Sequence, residues 1–224
     1  VLNREGIAGG KHRIARLRRL HGIEARRKRR FRRITEHHHT TPPAPDLIQR
    51  QFRVHAPNRA WVGDMTFVRT REGWLYLAVL LDLFSRRVIG WSMGTQPNQV
   101  LASAALEMAL LQRRPPPGLV HHTDQGAVYA ARAYRDRLEV AQALPSMGGK
   151  KSAYDNAVAE AFFATLKGDL GHGRRYASRT EARCAIVTYI EGWYNIRRIH
   201  TSLGYRSPAE YEATIHQETA ARAA

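Results

Sequence analysis

Three acidic residues of this sequence, Asp64, Asp124 and Glu160, stand where their side chains could do chemistry together. Asp64 lies inside a run of apolar and β-branched residues, where an unpaired polar group costs of order 2–7 kcal/mol. An arginine, a backbone cap or a bound cation must offset that cost. Asp124 ends a second apolar run, where side chains at a strand's carboxyl end face a crevice. A turn-forming aspartate is the alternative interpretation of Asp124.

Glu160 belongs to a segment, residues 154–167, that predicts a helix, because its apolar residues recur at three- and four-residue steps. One row of that helix is apolar, and the stripe beside it is polar or small. The apolar row consists of Val158, Phe162 and Leu166, and the other stripe of Asn156, Glu160, Ala164 and Lys167. A simply solvated acid is the alternative for Glu160.

Two aspartates on adjacent strands and a glutamate on a covering helix can meet at one point. The chain has a single cysteine, Cys184, which excludes an internal disulfide and a multi-cysteine zinc site. An all-oxygen site suits Mg²⁺ or Mn²⁺. Two such ions about 4 Å apart would activate a water or a 3′-hydroxyl and stabilise the leaving oxygen of a phosphodiester. Asp155 is the alternative to Glu160 as third acid.

The elements that must position these acids alternate between strand and helix patterns. Predicted strands cover residues 61–69, 74–82, 88–93, 119–123 and 141–146. Predicted helices cover residues 99–112, 131–140 and 180–198, besides 154–167. A three-stranded meander followed by α/β crossovers predicts an α/β fold, with a mixed five-stranded sheet flanked by helices.

The charge is strongly positive and unevenly distributed. The formal net charge is +17, and residues 1–35 hold 13 Lys/Arg against 2 acids, which leaves +6 on residues 36–224. A basic arm on a moderately basic body predicts a polyanionic partner, and DNA or RNA fits better than an anionic membrane because the arm has little apolar surface to insert. The sequence has no run of about 18 apolar residues, so we expect no membrane span. The first residues lack the apolar middle region of a secretory signal. We expect a cytoplasmic protein.

The basic arm contains one predicted helix, residues 11–22, with a thin apolar seam and Gly22 as its stop. A solvated basic tail is the alternative for residues 26–33. The predicted organisation is an arm and linker at 1–40, a catalytic core at 45–212 and a tail at 213–224. The candidate DNA-binding residues are Arg13, Arg16, Arg19, Arg26, Arg27, Arg29, Arg30, Lys150, Lys151 and Lys167.

The sequence resembles bacterial insertion-sequence transposases with a retroviral-integrase-type Asp-Asp-Glu core, in the group whose enzyme is made from two overlapping reading frames. The 35 residues between Asp124 and Glu160 are typical of that group. The match covers roughly residues 45–212. Its motifs are WVGDMT (61–66), GWLYLAV (73–79), DLFSRRVIGW (82–91), HTDQG (122–126), YDNAVAE (154–160), and Asn195 with RRIH (197–200).

The resemblance implies a ribonuclease-H-like fold and a strand-transfer activity dependent on Mg²⁺ (or Mn²⁺), with Asp64, Asp124 and Glu160 as catalytic acids and metal ligands. It implies nicking of DNA at an element end, then attack of the freed 3′-hydroxyl on target DNA. Lys167 would contact a phosphate, with an ordinary surface lysine as the alternative. The implied partners are DNA, further copies of the chain and an upstream-frame protein, in a nucleoid-associated bacterial setting.

Three departures from the family pattern keep other functions open, one of which is a looser match over residues 131–143. The basic region before residue 22 is shorter than the family's N-terminal region, which predicts a truncated end-recognition module. Residues 147–153 replace the usual Ser-Arg-Lys-Gly ahead of the Tyr-Asp-Asn. The alternatives are a catalytically decayed DNA-binding remnant and a ribonuclease-H-type nuclease.

Overall fold

The computed structural model describes residues 6, 9–23, 42–149, 156–171 and 173–223, without the side chains of 216 and 218–223. The chain divides into two units, residues 1–35 and 36–224. Several predictions lie outside the described residues. These concern Arg26, Arg27, Arg29, Arg30, Lys150, Lys151 and Asp155.

The described part of the first unit contains the predicted helix, α1 (Lys11–Leu20). Gly22 ends it, with a φ of 62° and with the N–H of Ile23 donating to the carbonyl of Arg18 at 2.7 Å. This is the hydrogen-bond pattern with which a left-handed glycine closes a helix. None of the residues of α1 is buried, so its basic side chains, including Arg13, Arg16 and Arg19, are exposed.

The second unit is built on a five-stranded sheet. Its strands are β1 (Ala60–Thr70), β2 (Gly73–Asp82), β3 (Val88–Gly94), β4 (Val120–Thr123) and β5 (Leu144–Met147). Their order is β3-β2-β1-β4-β5. β2 pairs antiparallel with both β1 and β3, whereas β4 pairs parallel with both β1 and β5. The predicted mixed sheet is confirmed, and its fifth strand begins three residues later than expected.

The helices flank this sheet on both faces. They are α2 (Gln99–Arg113), α3 (Ala127–Ala130), α4 (Arg132–Val140), α5 (Ala157–Asp169), α6 (Arg179–Val187) and α7 (Pro208–Ala223). A π-helical segment, Thr188–Tyr194, and a short 3₁₀ turn, Thr201–Leu203, separate α6 from α7.

Three helix predictions need correction. The single helix expected over 180–198 changes to π geometry at Thr188, because the N–H of Asn195 bonds five residues back to the carbonyl of Ile190. The short helix α3 and the terminal helix α7 were not predicted. The described part of α5 begins at Ala157 rather than at residue 154.

Alternate residues of β1 point to opposite faces, as strand geometry requires. Val62 packs into a core shared with α5 and α6, while Trp61 packs into a second core with α2 and α4. Asp64 falls on the same face as Val62, which is the face that α5 covers. On the opposite face, α2 approaches β3 so closely that a Cβ on Gly90 would lie 2.8 Å from the Cβ of Ala109.

Among the described residues, no helix combines the length and the apolar character that a membrane crossing requires.

Candidate active site

Asp64 and Asp124 stand at matching positions of two neighbouring strands. The parallel register of β1 and β4 pairs Val62 with His122, and each aspartate lies two residues beyond its member of that pair. Asp124 directly follows the last residue of β4. The sheet therefore brings both carboxylates to the same place, as the predicted strand adjacency requires.

Asp64 is half-buried, and its Oδ1 accepts a hydrogen bond from the N–H of Met65 at 2.7 Å. Burial raises its pKa well above the ordinary value, and the charges of Asp124 and Glu160 raise it further. The Met65 N–H and the charge of Lys167 act in the opposite direction. Within the described part of the chain no arginine pairs with Asp64. One backbone cap is present, but it does not compensate for the surrounding negative charge.

Asp124 also forms the turn that the sequence offered as its alternative role. Its Oδ1 accepts from the N–H of Gly126 at 2.9 Å, and a Cβ on Gly126 would lie 2.9 Å from that same oxygen. Glycine at 126 therefore leaves room for the exposed carboxylate. Tyr129, which sequence reasoning missed, is buried nearby, and its pKa is raised by burial and then by Asp64 and Asp124.

Glu160 lies in the first turn of α5 and is exposed. The residue before this helix, Asn156, docks it on the sheet. Its Nδ2 donates to the carbonyl of Gly63 at 3.2 Å, next to Asp64, while its buried Oδ1 has no partner among the described residues. Asn156 thus positions the start of α5 against the strand segment that carries Asp64, a role that sequence reasoning did not assign.

Lys167 lies two turns along α5 from Glu160 and is half-buried. Its Nζ is 5.0 Å from the centroid of the Phe67 ring, a cation–π distance. Burial lowers the pKa of Lys167, and the charge of Asp64 acts to raise it. The lysine therefore sits at the cluster of acids rather than on open surface.

The donor set of this cluster consists of carboxylate oxygens. In the described ranges, no three acidic, histidine or cysteine side chains lie close enough to enclose a metal ion as they stand. The three acids share one electrostatic neighbourhood without forming a closed cage. The carboxylates of this cluster repel one another in a partly buried place. A bound divalent cation would relieve that repulsion.

A second polar cluster, which sequence reasoning missed, lies away from these acids and joins α2 to α7. Arg113 contacts Asp82 at 3.1 Å and Glu212 at 2.7 Å, and Arg87 contacts Glu212 at 2.8 Å. Ser85 donates to Glu212 at 2.8 Å. Asp82, Ser85 and Arg87 all belong to the DLFSRRVIGW motif, so this motif serves the packing of the fold.

Asn195, another residue of the family motifs, also has a structural role. Its Nδ2 donates to the carbonyl of Val88 at 3.0 Å, and its Oδ1 accepts from the N–H of Val88 at 2.9 Å. Both groups are buried. The amide therefore fastens the end of the π-helical segment to the first residue of β3.

The chain matches known families over most of its length. Residues 54–153 match the integrase core domain family, and residues 160–215 match a second family of the same description. A 31 kDa protein of insertion element IS600 from Shigella sonnei is 42% identical, over 98% of this chain and 80% of its own length. The transposase of IS904 from Lactococcus lactis is 39% identical, over 95% of this chain and 84% of its own. The transposase InsF of IS3A from Escherichia coli K12 is 41% identical, over 87% of this chain and 67% of its own.

Solved structures show the same fold. The integrase of a simian T-cell lymphotropic virus intasome aligns with a TM-score of 0.60 at 18% identity, over 78% of this chain and 59% of its own. The HTLV-2 integrase catalytic core, in complex with magnesium, aligns with a TM-score of 0.54 at 17% identity, over 70% of this chain and 97% of its own.

The described sheet and helices are thus those of a retroviral integrase catalytic core, which is a ribonuclease-H-like fold. The chain belongs to the insertion-sequence transposases with an integrase-type core, which are polynucleotidyl transferases that serve transposition. The predicted family and fold class are both confirmed.

Proposed function

We propose that this transposase cleaves DNA at the ends of its element and joins them to target DNA, with Asp64, Asp124 and Glu160 as its catalytic acids. One observation carries the assignment. The carboxylate of Asp64 in β1 responds to the charge of Asp124 at the end of β4 and to the charges of Glu160 and Lys167 in α5. Outside a functional site, two like charges acting on a half-buried carboxylate would only destabilise the fold.

The same three acids are the proposed ligands of Mg²⁺ or Mn²⁺. Oxygen donors are what these hard cations prefer, and the repulsion that raises the pKa of Asp64 is what such a cation would offset. When bound, the ions would lower the pKa of an attacking hydroxyl and offset charge on the leaving oxygen. That the HTLV-2 integrase core was solved with magnesium agrees with this proposal.

The proposed reaction has two balanced steps. A water oxygen attacks a phosphorus at the element end, the bond to the 3′ oxygen breaks, and that oxygen leaves as a 3′-hydroxyl after taking up a proton. The freed 3′-hydroxyl then loses its proton and attacks a phosphorus of the target, whose own 3′ oxygen leaves. Asp64, Asp124 and Glu160 would hold the cations that neutralise the reacting phosphate, and no bond forms between protein and DNA.

Cationic residues are proposed to hold the DNA. Lys167 is placed beside Asp64 and would contact a phosphate near the cleaved bond. The exposed Arg13, Arg16 and Arg19 of α1 would make salt-sensitive phosphate contacts. The same role is proposed for Lys150, Lys151, Arg26, Arg27, Arg29 and Arg30.

The proposed organisation keeps a DNA-binding arm at 1–40, a catalytic core at 45–212 and a tail at 213–224, although α7 runs across the last boundary. Joining two DNA ends favours at least two copies of the chain on DNA. An upstream-frame protein remains a proposed partner, and action on a bacterial chromosome would place the protein at the nucleoid.

The test uses the full chain with labelled duplexes that carry the repeats flanking its gene, in Mg²⁺, Mn²⁺ or EDTA. We expect metal-dependent nicking and joining. Glu160→Gln should abolish both and leave DNA binding unchanged, because it removes a charged ligand and no phosphate contact. Asp169→Asn, an exposed acid of the same helix, is the matched control and should remain active.

The outcomes separate the alternatives. DNA binding without metal-dependent activity in the wild-type protein would establish a decayed remnant. Hydrolysis of an RNA–DNA hybrid without joining would establish a ribonuclease-H-type nuclease. Normal cleavage by Glu160→Gln would show that the third acid is wrongly assigned, and Asp155 would then be tested.

A further inference from the structure

A pocket of about 280 Å³ opens beside α5. Three small residues of α5, Ala157, Ala161 and Thr165, are among those that line it. Consecutive residues of a helix point about 100° apart, so this face of α5 is distinct from the one that carries Glu160, although both belong to the same helix. Small side chains at these positions leave room for another molecule to approach the helix.

The opposite walls of the pocket carry two arginines, Arg86 and Arg198. Arg86 donates from Nη2 to the carbonyl of Phe52 at 2.8 Å, whereas its Nη1 is buried with no hydrogen-bond partner among the described residues. Arg198 lies with its guanidinium 5.8 Å from the centroid of the Tyr194 ring. A buried donor without a partner requires an explanation, and an absent ligand is one.

Neither arginine forms an ion pair with a carboxylate in the part of the chain that the structure describes. Burial lowers the pKa of Arg86, and the nearby Tyr194 and Asp82 only partly counteract this. The carboxylate of Asp82 is itself bonded to Arg113 at 3.1 Å. The charge of the pocket is therefore uncompensated by the residues around it.

Another polar residue that lines the pocket, His200, adds no positive charge at neutral pH. Burial lowers its pKa to about 4, with further lowering by Arg198 and Arg86. Its ring nitrogens lie 3.3 and 3.4 Å from Nη1 of Arg198. The pocket thus presents two guanidinium groups and a neutral imidazole, which is the chemistry of an oxyanion site.

We propose that this pocket binds one backbone phosphate of the DNA strand that passes Glu160. The assignment rests on the proposed function, because α5 carries the proposed catalytic Glu160 and DNA is the anion that this helix would meet during cleavage. Arginine suits the task, since its planar donors match the oxygens of a phosphate better than a lysine does. The contact would fix the register of the strand while another phosphate of the same DNA reacts.

The test measures binding of a fluorescein-labelled DNA duplex by anisotropy in EDTA, across a series of salt concentrations. Each phosphate contact contributes about 0.9 to the slope of log affinity against log salt. Arg198→Gln should lower that slope by about one and weaken binding several-fold. Arg197→Gln is the matched control, because it removes the same charge from the adjacent, exposed residue that does not line the pocket. It should leave the slope unchanged.

A second variant blocks the pocket without removing a charge, so that it tests occupation of the pocket independently of Arg198. Ala161→Met places an uncharged, helix-compatible side chain in the pocket and should lower the slope as Arg198→Gln does. Thermal melts of each variant check the fold. Equal slopes for the wild type, Arg198→Gln and Ala161→Met would overturn the proposal.

Two further measurements identify the source of the phosphate and separate this proposal from the proposed function. Inorganic phosphate is tested by thermal shift. Stabilisation of the wild type but not of Arg198→Gln, with unchanged DNA slopes, would assign the pocket to a small anion and overturn the DNA assignment. Metal-dependent cleavage is assayed on the same samples. If the wild type cleaves DNA and the variants have the same salt slope as the wild type, only the proposal for the pocket is rejected. If the variants have a lower salt slope but the wild type does not cleave DNA, the proposal for the pocket is supported and the catalytic proposal is rejected.

Discussion

The charge of Asp124 is second only to burial among the causes that raise the pKa of Asp64, although the two residues come from strands far apart in the chain. The parallel register of β1 and β4 produces this relationship, because it places each aspartate two residues beyond the pair Val62 and His122. A site of this kind stores unfavourable charge in the folded protein. Stability and metal binding should therefore be linked.

Replacing Asp64 by Asn should stabilise the metal-free protein at pH 7. The pKa of Asp64 is higher in the folded protein than in the unfolded chain. The free energy of unfolding therefore falls as the pH rises from the unfolded-state pKa to the folded-state pKa. Asn does not titrate, so the variant does not lose this stability. Each pKa unit corresponds to about 1.4 kcal/mol. Thermal melts in EDTA measure the effect, with Asp136→Asn as an exposed control. Mg²⁺ should then raise the melting temperature of the wild type and of Asp136→Asn but not of Asp64→Asn. A less stable Asp64→Asn protein would contradict the assignment.

Replacing Lys167 by Gln should raise the Mg²⁺ concentration that cleavage requires, roughly tenfold, which corresponds to about 1.4 kcal/mol. The lysine charge lowers the pKa of Asp64, so its removal favours the protonated carboxyl that binds metal poorly. Lys167→Arg keeps the charge and serves as control. Metal titration of cleavage is the measurement, and an unchanged midpoint in Lys167→Gln would show that the lysine does not act on the acids.

Replacing Asn195 by Ala should destabilise the fold by about 2–4 kcal/mol, because it leaves the buried N–H and carbonyl of Val88 without partners. Urea unfolding measures the loss. Ile196→Ala, at the adjacent exposed position, should change stability little. If the two variants unfold at the same urea concentration, the amide does not hold β3.

Deleting residues 1–35 should weaken DNA binding and flatten its salt dependence, since this segment carries 13 Lys/Arg against 2 acids. The division of the chain at residue 35 predicts that the remaining unit keeps its fold, which circular dichroism checks. A slope equal to that of the full chain would show that the arm makes no phosphate contacts.

The sheet could be predicted from sequence because its signals are local. The apolar run of β2, the alternation in β1 and the turn at residues 71–73 each depend on neighbouring residues only. The meeting of Asp64 and Asp124 was a hypothesis at that point, because a crossover after a meander can place β4 beside either β1 or β3. The parallel pairing of β1 with β4 decides it.

Other features depended on contacts that no local pattern reveals. Arg113 and Glu212 lie 99 residues apart, and nothing near either one marks the partner. The pocket arginines come from the β2–β3 turn and from beyond the π-helical segment, so their meeting follows from packing alone.

One missed element did carry a local signal. Ser207 and Glu210 bond to each other's backbone N–H groups at 3.2 and 2.8 Å, with Pro208 as the first residue of α7. This serine-to-glutamate spacing with proline at the first helical position is a helix-start signature that predicts α7.

The buried carboxylate of Glu212 has a practical consequence for anyone who trims the protein for crystallisation. The first turns of α7 neutralise Arg87 and Arg113 and set Tyr211 against Phe84 at a ring separation of 5.0 Å. A fragment that stops before Pro208 would remove the carboxylate that pairs with Arg87 and one of the two that pair with Arg113, beside the core. Such a fragment should be recovered as insoluble aggregate, so a minimal crystallisable piece has to extend past residue 212.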